Sequence, residues 1–325
     1  MVQFLAGGLA GANLTRHTRN SKKTMQIFHG LRQLKKFKKP VVVLGVFDGV
    51  HRAHREILRE TVRKAHAING TSILVTFSPH PQKEESLYSL EHRLRLIAGL
   101  DIDAAIVVQF NRSFAKMPAE DFVKNILVRK IHPEYIYIGK NFTFGKNASG
   151  NYQLLQRLSG VYNFKLKIFN VIRINHRPVS STYIRNLIRA GKLHAAEKLL
   201  GRPVCILGTV VKGASLARSL GFPTANIDPH HEVLPPTGVY AVEIIYQQKK
   251  FFGVCSIGHK PTFNKEKIQH IEVHIFNFAK NIYGAYLEIQ FVKLLRKQKK
   301  FATPAILASQ IKKDIVYSKR LLSLP

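Results

Sequence analysis

VVVLGVFDGVHRAHREILRETVRKAHAINGTSILVTF, residues 41–77, decides the reading of the first half of the chain. Residues 41–44 form a continuous apolar, β-branched run that ends at Gly45, residues 54–67 follow as a helical stretch, and residues 72–77 are a second apolar run. Strands apolar along their whole length are buried on both faces, which places them in a parallel sheet with crossover helices. The rhythm continues with a helix over 90–100, a strand over 104–109, a helix over 119–130 and a strand over 135–138. The expectation is an α/β doubly wound, Rossmann-like domain over residues 25–185.

After a helical segment at 182–200 the pattern changes. Short β-rich runs at 204–210, 238–246, 251–257, 269–276 and 286–294 are broken by Gly, Pro and Asn. They predict an antiparallel β-barrel or sandwich over 202–325, with a C-terminal helix at 304–322 and residues 186–201 as a helical linker. No acidic residue precedes Asp48, and residues 1–24 have neither a helical nor a strand period. They read as a flexible basic tail; a transit peptide, or translation from Met25, are the alternatives.

Composition narrows the function classes. The 325 residues are 45% hydrophobic and 10% aromatic, which excludes a disordered or fibrous chain and suits two domains. With 51 Lys and Arg against 19 Asp and Glu, the net charge of +32 attracts polyanions: nucleic acid, acidic lipid or nucleotide phosphates. Two cysteines, Cys205 and Cys255, have apolar neighbours and no metal-ligand spacing. They read as core thiols of a reducing, cytoplasmic protein. No apolar run approaches the roughly 18 residues of a membrane helix, so no membrane association is expected.

Gly45, Phe47, Asp48 and Gly49 lie in GVFDGVHRAH, between a strand end and a helix start. At that edge glycines let the backbone approach a phosphate, and the helix N-terminus supplies N–H groups and the positive end of its dipole. His51 and His54, three apart, suit the same anion; a surface helix start or half a metal site are the alternatives. Ser180, Ser181 and Thr182 precede an apolar helix and suit helix capping or phosphate. Arg185, one turn in, suits phosphate or a solvated helix face. Asn141, Phe142 and Phe144 stand between Gly139 and Gly145, either at a site or in a hairpin with core aromatics. Thr224 and Asn226 offer oxygens on one face of an extended segment, as Mg²⁺ requires, or else form a Pro-Thr turn with an Asx cap.

GVFDGVHRAH resembles the HxGH motif of nucleotidyltransferases. FSPHP (77–81), FAKMPAEDFVKNILV (114–128), GKNFTFGKNASG (139–150) and SSTYIR (180–185) resemble, in order, segments of the bacterial bifunctional riboflavin kinase and FMN adenylyltransferase (FAD synthetase) family. GTVVKG (208–213), LGFPTANI (220–227), LPPTGVYAVEI (234–244), GHKPTF (258–263) and IEVHIFNF (271–278) resemble its kinase half. The resemblance spans Met25 to about Phe301. It implies a nucleotidyltransferase domain and a kinase barrel that convert riboflavin to FMN and then to FAD with ATP and Mg²⁺, releasing pyrophosphate.

By the resemblance, His51 and His54 stabilise charge in adenylyl transfer, and Glu272 is the base that takes the riboflavin 5′-hydroxyl proton. Gly45, Phe47, Asp48, Gly49, Ser180, Ser181, Thr182, Arg185, Gly208 and Gly213 would meet ATP phosphates. Asn141, Phe142 and Pro223 would lie by the flavin, and Thr224 and Asn226 by the metal. A solvent-facing glutamate is the plain alternative for Glu272. Three departures stand out in the first half: Ala53 replaces the motif glycine, and Tyr183 and Thr143 occupy positions often basic in relatives; in the second, Lys260 replaces an arginine. The first three leave open a riboflavin kinase with an impaired adenylyltransferase domain. A nucleic-acid-binding protein on the same folds is the other alternative; the basic residues are spread without an aromatic platform, so nucleic acid is not the expected partner.

Overall fold

The computed structural model describes residues 24–324 except 33, 80–84, 175, 214–219 and 260–268. The tail at 1–23 and parts of the FSPHP and GHKPTF segments lie outside the described residues. Contacts divide the chain into two compact units: residues up to Glu84 with Arg93–Val179, and Glu85–His92 with Ser180–Pro325.

The first unit holds β1 (Gln26–His29), β2 (Pro40–Leu44), β3 (Thr71–Ser78), β4 (Ala104–Gln109), β5 (Tyr135–Gly139) and β6 (Lys165–Phe169). They form a 6-stranded sheet in the order β1-β4-β3-β2-β5-β6, parallel at every pairing. All five residues of β2 are buried, as its central position demands. The chain steps outward from β2 through β3 to β4, then returns to β5 on the other side of β2. That reversal opens a crevice at the carboxyl ends of β2 and β5. Helix α1 (Arg52–Ala67) crosses between β2 and β3 and buries Ile57, Leu58, Thr61, Val62 and Ala65 on the sheet.

Helix α2 (Leu90–Ala98) follows β3, and α3 (Arg112–Ala115) and α4 (Ala119–Asp121) follow β4. The helix expected at 119–130 is α-helical only through α4 and then winds as a π-helix over Phe122–Ile131, ending at His132 in the left-handed region. Helix α5 (Tyr152–Tyr162), strand β6 and a small hairpin, β7 (Arg173–Ile174) with β8 (Arg177–Pro178), complete the unit without having been anticipated. Strand β6, KLKIF, is an edge strand with exposed lysines, so its sequence lacks the continuous apolar run that marks a buried parallel strand.

In the second unit, the helix expected over 182–200 is two, α6 (Ser181–Arg189) and α7 (Leu193–Leu200). Gly191, at φ +71, makes the break. Strands β9 (Cys205–Val211), β10 (Ala225–Asp228), β11 (Gly238–Tyr246), β12 (Lys249–His259), β13 (Gln269–Ile275) and β14 (Tyr286–Arg296) close a barrel in the order β10-β13-β12-β11-β14-β9. Every pairing is antiparallel, and β9 meets β10 to close it. Of the barrel and sandwich alternatives, closure selects the barrel, which leaves no bare sheet edge. Thr303 caps the C-terminal helix, Pro304–Leu321, whose Asp314 accepts from Nε and Nη2 of Arg296 at 3.0 and 2.8 Å.

A buried polar centre pins Glu85–His92 to the barrel. The carboxylate of Glu232 accepts from the backbone N–H of Ser89 at 2.8 Å and of Leu207 at 3.0 Å. It also accepts from Nδ1 of His92 at 3.0 Å. Sγ of Cys205 lies 3.7 Å from both Nε2 of His92 and the hydroxyl of Tyr88, and the Arg202 guanidinium stands 5.0 Å over the Tyr88 ring. Burial alone would lower the His92 pKa, but Cys205 and then Glu232 push it up to about 10. A raised folded-state value means stability that is fully present below the unfolded value of 6.5 and lost as pH rises through about 10. Urea titrations from pH 6 to 10.5 should show the midpoint of the second unit falling across that window. The fall should be smaller in His92→Gln; an equal fall would remove His92 as its cause.

Candidate active sites

The loop after β2 sits at the crevice where the sheet order reverses. Gly45 N donates to Val75 O at 3.1 Å, which starts the loop off the sheet, and a Cβ on Gly45 would meet the Phe47 ring at 2.9 Å. Phe47 (φ 55), Gly49 (φ 79) and Val50 (φ 38) all adopt left-handed backbone. Such strain in Phe and Val persists only where neighbours hold it. Here the carbonyl of Val46 accepts from Thr76 Oγ1 at 3.2 Å and from Arg93 Nη1.

Arg93, 4% exposed, escapes sequence reasoning. It reads as one more charge on a helix, and the carbonyl it holds lies 47 positions away. Burial draws its pKa down and the charge of Asp48 opposes that. Both Asp48 and His51 are 3% exposed, so loop and cation form one buried polar unit.

His51 caps α1: its Nδ1 accepts the backbone N–H of His54 at 3.3 Å. A nitrogen that accepts carries no proton, so neutral His51 holds its hydrogen on Nε2. The rings of His51 and His54 stack with centroids 3.6 Å apart, and Phe47 packs edge-on to His54 at 5.0 Å. The two imidazoles are thus brought together at a helix N-terminus with no acidic residue in its first turn. Ala53 lies in that turn, half-buried.

The loop after β5 occupies the other lip. Phe144 is buried against Phe122 at 5.4 Å and stacks on half-buried Phe142 at 5.8 Å, while Asn141 is exposed on the rim. Gly145, at φ +75, brings the backbone so close to Ala119 that a Cβ would lie 2.6 Å from its Cα. Phe144 is therefore the core aromatic of this loop.

Ser180, Ser181, Thr182 and Arg185 belong to the second unit. Ser180 is the N-cap of α6, its Oγ accepting from Tyr183 N at 3.3 Å. Ser181 is half-buried and Thr182 exposed. Arg185 is 5% exposed, which sets aside the solvated helix face.

On the barrel, alternation along β10 and β13 sorts side chains by face. Ile227, Ile271 and Val273 are buried in the wall, and Asn226 stands directly across from Glu272 on the other face. Gly213, just past β9, covers Asn226: a Cβ on Gly213 would lie 2.1 Å from its Cγ. Oδ1 of Asn226 is buried and has no hydrogen-bond partner among the described residues. Thr224 is half-buried two residues before it. The carbonyl of Pro223 accepts from His274 Nδ1 at 2.8 Å, and Glu272 Oε1 lies 2.8 Å from His270 Nε2. Burial, and then the charge of Glu272, push the Cys255 thiol up. Gly208 sits in the barrel wall, where a Cβ would meet Ile227 Cγ2 at 2.2 Å, so packing by itself demands glycine there.

A family model described as FAD synthetase matches residues 33–183, and one described as riboflavin kinase matches residues 200–322. Together they define a flavin-directed transferase with two catalytic regions in one chain. Bifunctional riboflavin kinase/FMN adenylyltransferase of Buchnera aphidicola (subsp. Schizaphis graminum) is 36% identical over 92% of this chain and 100% of its own. That of Haemophilus influenzae is 34% identical over 91% and 98%, and that of Escherichia coli K12 32% over 87% and 93%. A crystal structure described as a macrolide-efflux protein from Streptococcus pneumoniae matches with TM-score 0.77 and 26% identity, covering 90% of this chain and 98% of that one. Among the described residues no helix is long and apolar enough to cross a membrane. The chain belongs to the bifunctional riboflavin kinase/FMN adenylyltransferase family. It phosphorylates riboflavin to FMN and adenylylates FMN to FAD, with ATP as co-substrate.

The cover of Gly213 on Asn226 makes a test. Gly213→Ala should lower riboflavin phosphorylation about tenfold or more, the scale of misplacing a group by a fraction of an ångström. Adenylylation of supplied FMN should be unchanged. Parent-like kinase turnover would show that this contact does not shape the site.

Proposed function

We propose that the two reactions use separate groups of side chains, those of the Gly45–His54 loop and those of the outer barrel face around Asn226 and Glu272. The observation that carries the reading is the buried Oδ1 of Asn226, without a hydrogen-bond partner among the described residues, directly across the sheet from the Glu272 carboxylate. A buried acceptor without a donor costs free energy unless a ligand engages it. Mg²⁺ fits that oxygen, and Thr224 Oγ1 with it, since hard cations take neutral oxygens and leave the remaining positions to phosphates and water. No group of three or more His, Cys, Asp or Glu that could hold a metal occurs among the described residues, so a metal here would rely on such neutral oxygens. When bound, Mg²⁺ neutralises charge on the triphosphate.

Gly213 lets the backbone just past β9 lie against Asn226 on the ATP side, with Gly208 holding β9 against β10. Pro223, fixed through its carbonyl by His274, borders the flavin side. Glu272 takes the proton of the riboflavin 5′-hydroxyl as that oxygen attacks the γ-phosphorus.

In adenylyl transfer the FMN phosphate is already an anion and attacks the α-phosphorus directly. His51 donates from Nε2 and His54 from its ring to the phosphates, while Gly45, Phe47, Asp48 and Gly49 shape the loop that receives them. Asn141 and Phe142 border the flavin on the opposite lip. Ser181, Thr182 and Arg185 are assigned to ATP phosphates by the family motif alone, and Ser180 is committed to capping α6. Adenylylation is assigned to 25–185, a helical linker to 186–201 and phosphorylation to 202–325. Buried thiols at Cys205 and Cys255 suit a reducing cytoplasm.

Glu272→Gln keeps shape and removes the base, so phosphorylation should fall by about 10² to 10⁴ with adenylylation of supplied FMN retained. His54→Ala should do the reverse, losing about 10² or more in FAD formation. Resolving riboflavin, FMN and FAD after incubation with Mg-ATP reads both. Loss of both activities from either substitution in a folded protein would mean one shared site. Ala53→Gly, read in the same assay, should raise FAD formation if the methyl crowds the nucleotide; an unchanged rate clears Ala53 of slowing the enzyme.

A further inference from the structure

We propose that His270 is a positioning residue for riboflavin phosphorylation, holding the Glu272 carboxylate in the orientation that accepts the 5′-hydroxyl proton. It rests on the reading of Glu272 as the base. His270 and Glu272 are two apart on β13, so a strand turns both side chains to one face. Between them Ile271 is fully buried, as is Val273 beyond, so the backbone that carries the pair is fixed by the barrel wall. Nε2 of His270 lies 2.8 Å from Oε1 of Glu272, with both side chains only about one quarter exposed, 25% and 26%. An ionised carboxylate only accepts, so the proton in that gap sits on the imidazole nitrogen and the bond is charge-assisted.

One oxygen is thereby committed. Among the described residues Oε2 of Glu272 has no hydrogen-bond partner, and it is the oxygen left for substrate. The neighbours on the adjoining strands, Asn226 on β10 and Ser256 on β12, are directly opposite Glu272 in register. The other histidine of the row, His274, is spent on the Pro223 carbonyl. Among the described residues, only His270 holds the Glu272 carboxylate.

The need for fixing is physical. A free glutamate side chain samples many rotamers, and general-base action requires its oxygen within hydrogen-bond reach of the hydroxyl. In the step itself the hydroxyl O–H bond breaks and its proton goes to Oε2. The oxygen's electron pair forms the bond to the γ-phosphorus, and the bond from that phosphorus to ADP breaks, ADP leaving with the pair. His270 gains and loses no proton in this; it keeps Oε1 engaged so that Oε2 points outward.

Steady-state kinetics of riboflavin phosphorylation by the full chain test it, with FMN adenylylation by each preparation as the control for folding. His270→Ala should lower kcat by about 10- to 100-fold, the scale of a group displaced by ~1 Å, with the KM values for riboflavin and ATP within about twofold. His270→Gln, whose amide still donates to Oε1, should recover kcat to within about threefold of the parent. In a Glu272→Gln background, His270→Ala should cost nothing further. Parent-like kcat in His270→Ala, beside a large loss in Glu272→Gln, overturns the positioning role and leaves the base in place. Equal losses in the Ala and Gln variants, or a change confined to KM, overturn it too. Parent-like kcat in Glu272→Gln overturns the base reading, and this inference with it.

Discussion

The position of β2 between β3 and β5 is the constraint from which the first site follows. A strand paired on both edges and buried on both faces has no room for polar side chains, so everything polar is displaced to the loop beyond its carboxyl end. Because the chain leaves β2 toward β3 and returns at β5, that loop and the loop after β5 diverge and leave a crevice. The strained backbone of Phe47 and Val50 is held there from beneath by Arg93 and Thr76 through a single carbonyl, that of Val46. The His51 cap then sets both the start of α1 and the tautomer of the imidazole.

The barrel solves a different problem. Alternation divides each strand into an apolar wall and an outer polar row, so the outer row of β13 can gather His270, Glu272 and His274 without disturbing the core. Glycine does the remaining work where backbone must approach closely. Gly213 is pressed on Asn226 and Gly208 on Ile227, two contacts that no larger residue permits.

The barrel unit also takes in Glu85–His92, far earlier in the chain. Glu232 is buried yet satisfied by two backbone N–H groups and one imidazole, the condition under which a buried carboxylate is tolerated. Removing any one donor leaves the charge under-solvated, so this centre links the identity of several distant residues.

Hydrophobic period and turn residues, both local, made β2 to β5 of the parallel sheet, the barrel strands other than β10, the closing helix and the GVFDGVHRAH loop legible from the amino-acid order; β1 and β10, four residues each, were too short to show a period. His51 and His54 were legible as a pair for the same reason, their spacing within one turn; Asn226 was read with Thr224 from their spacing and Glu272 through the family resemblance, and only the pairing of β10 with β13 set those two across from each other. Edge strand β6 was not legible, because an edge needs no apolar run, and the π-helix was not, because its apolar spacing still reads as an α-helix. Arg93, the Gly213 contact on Asn226 and the Glu232 centre were decided only by the tertiary structure. Each joins residues distant in sequence through one short contact, and such contacts leave no period behind; they exist only once sheet order and barrel closure have brought the segments together.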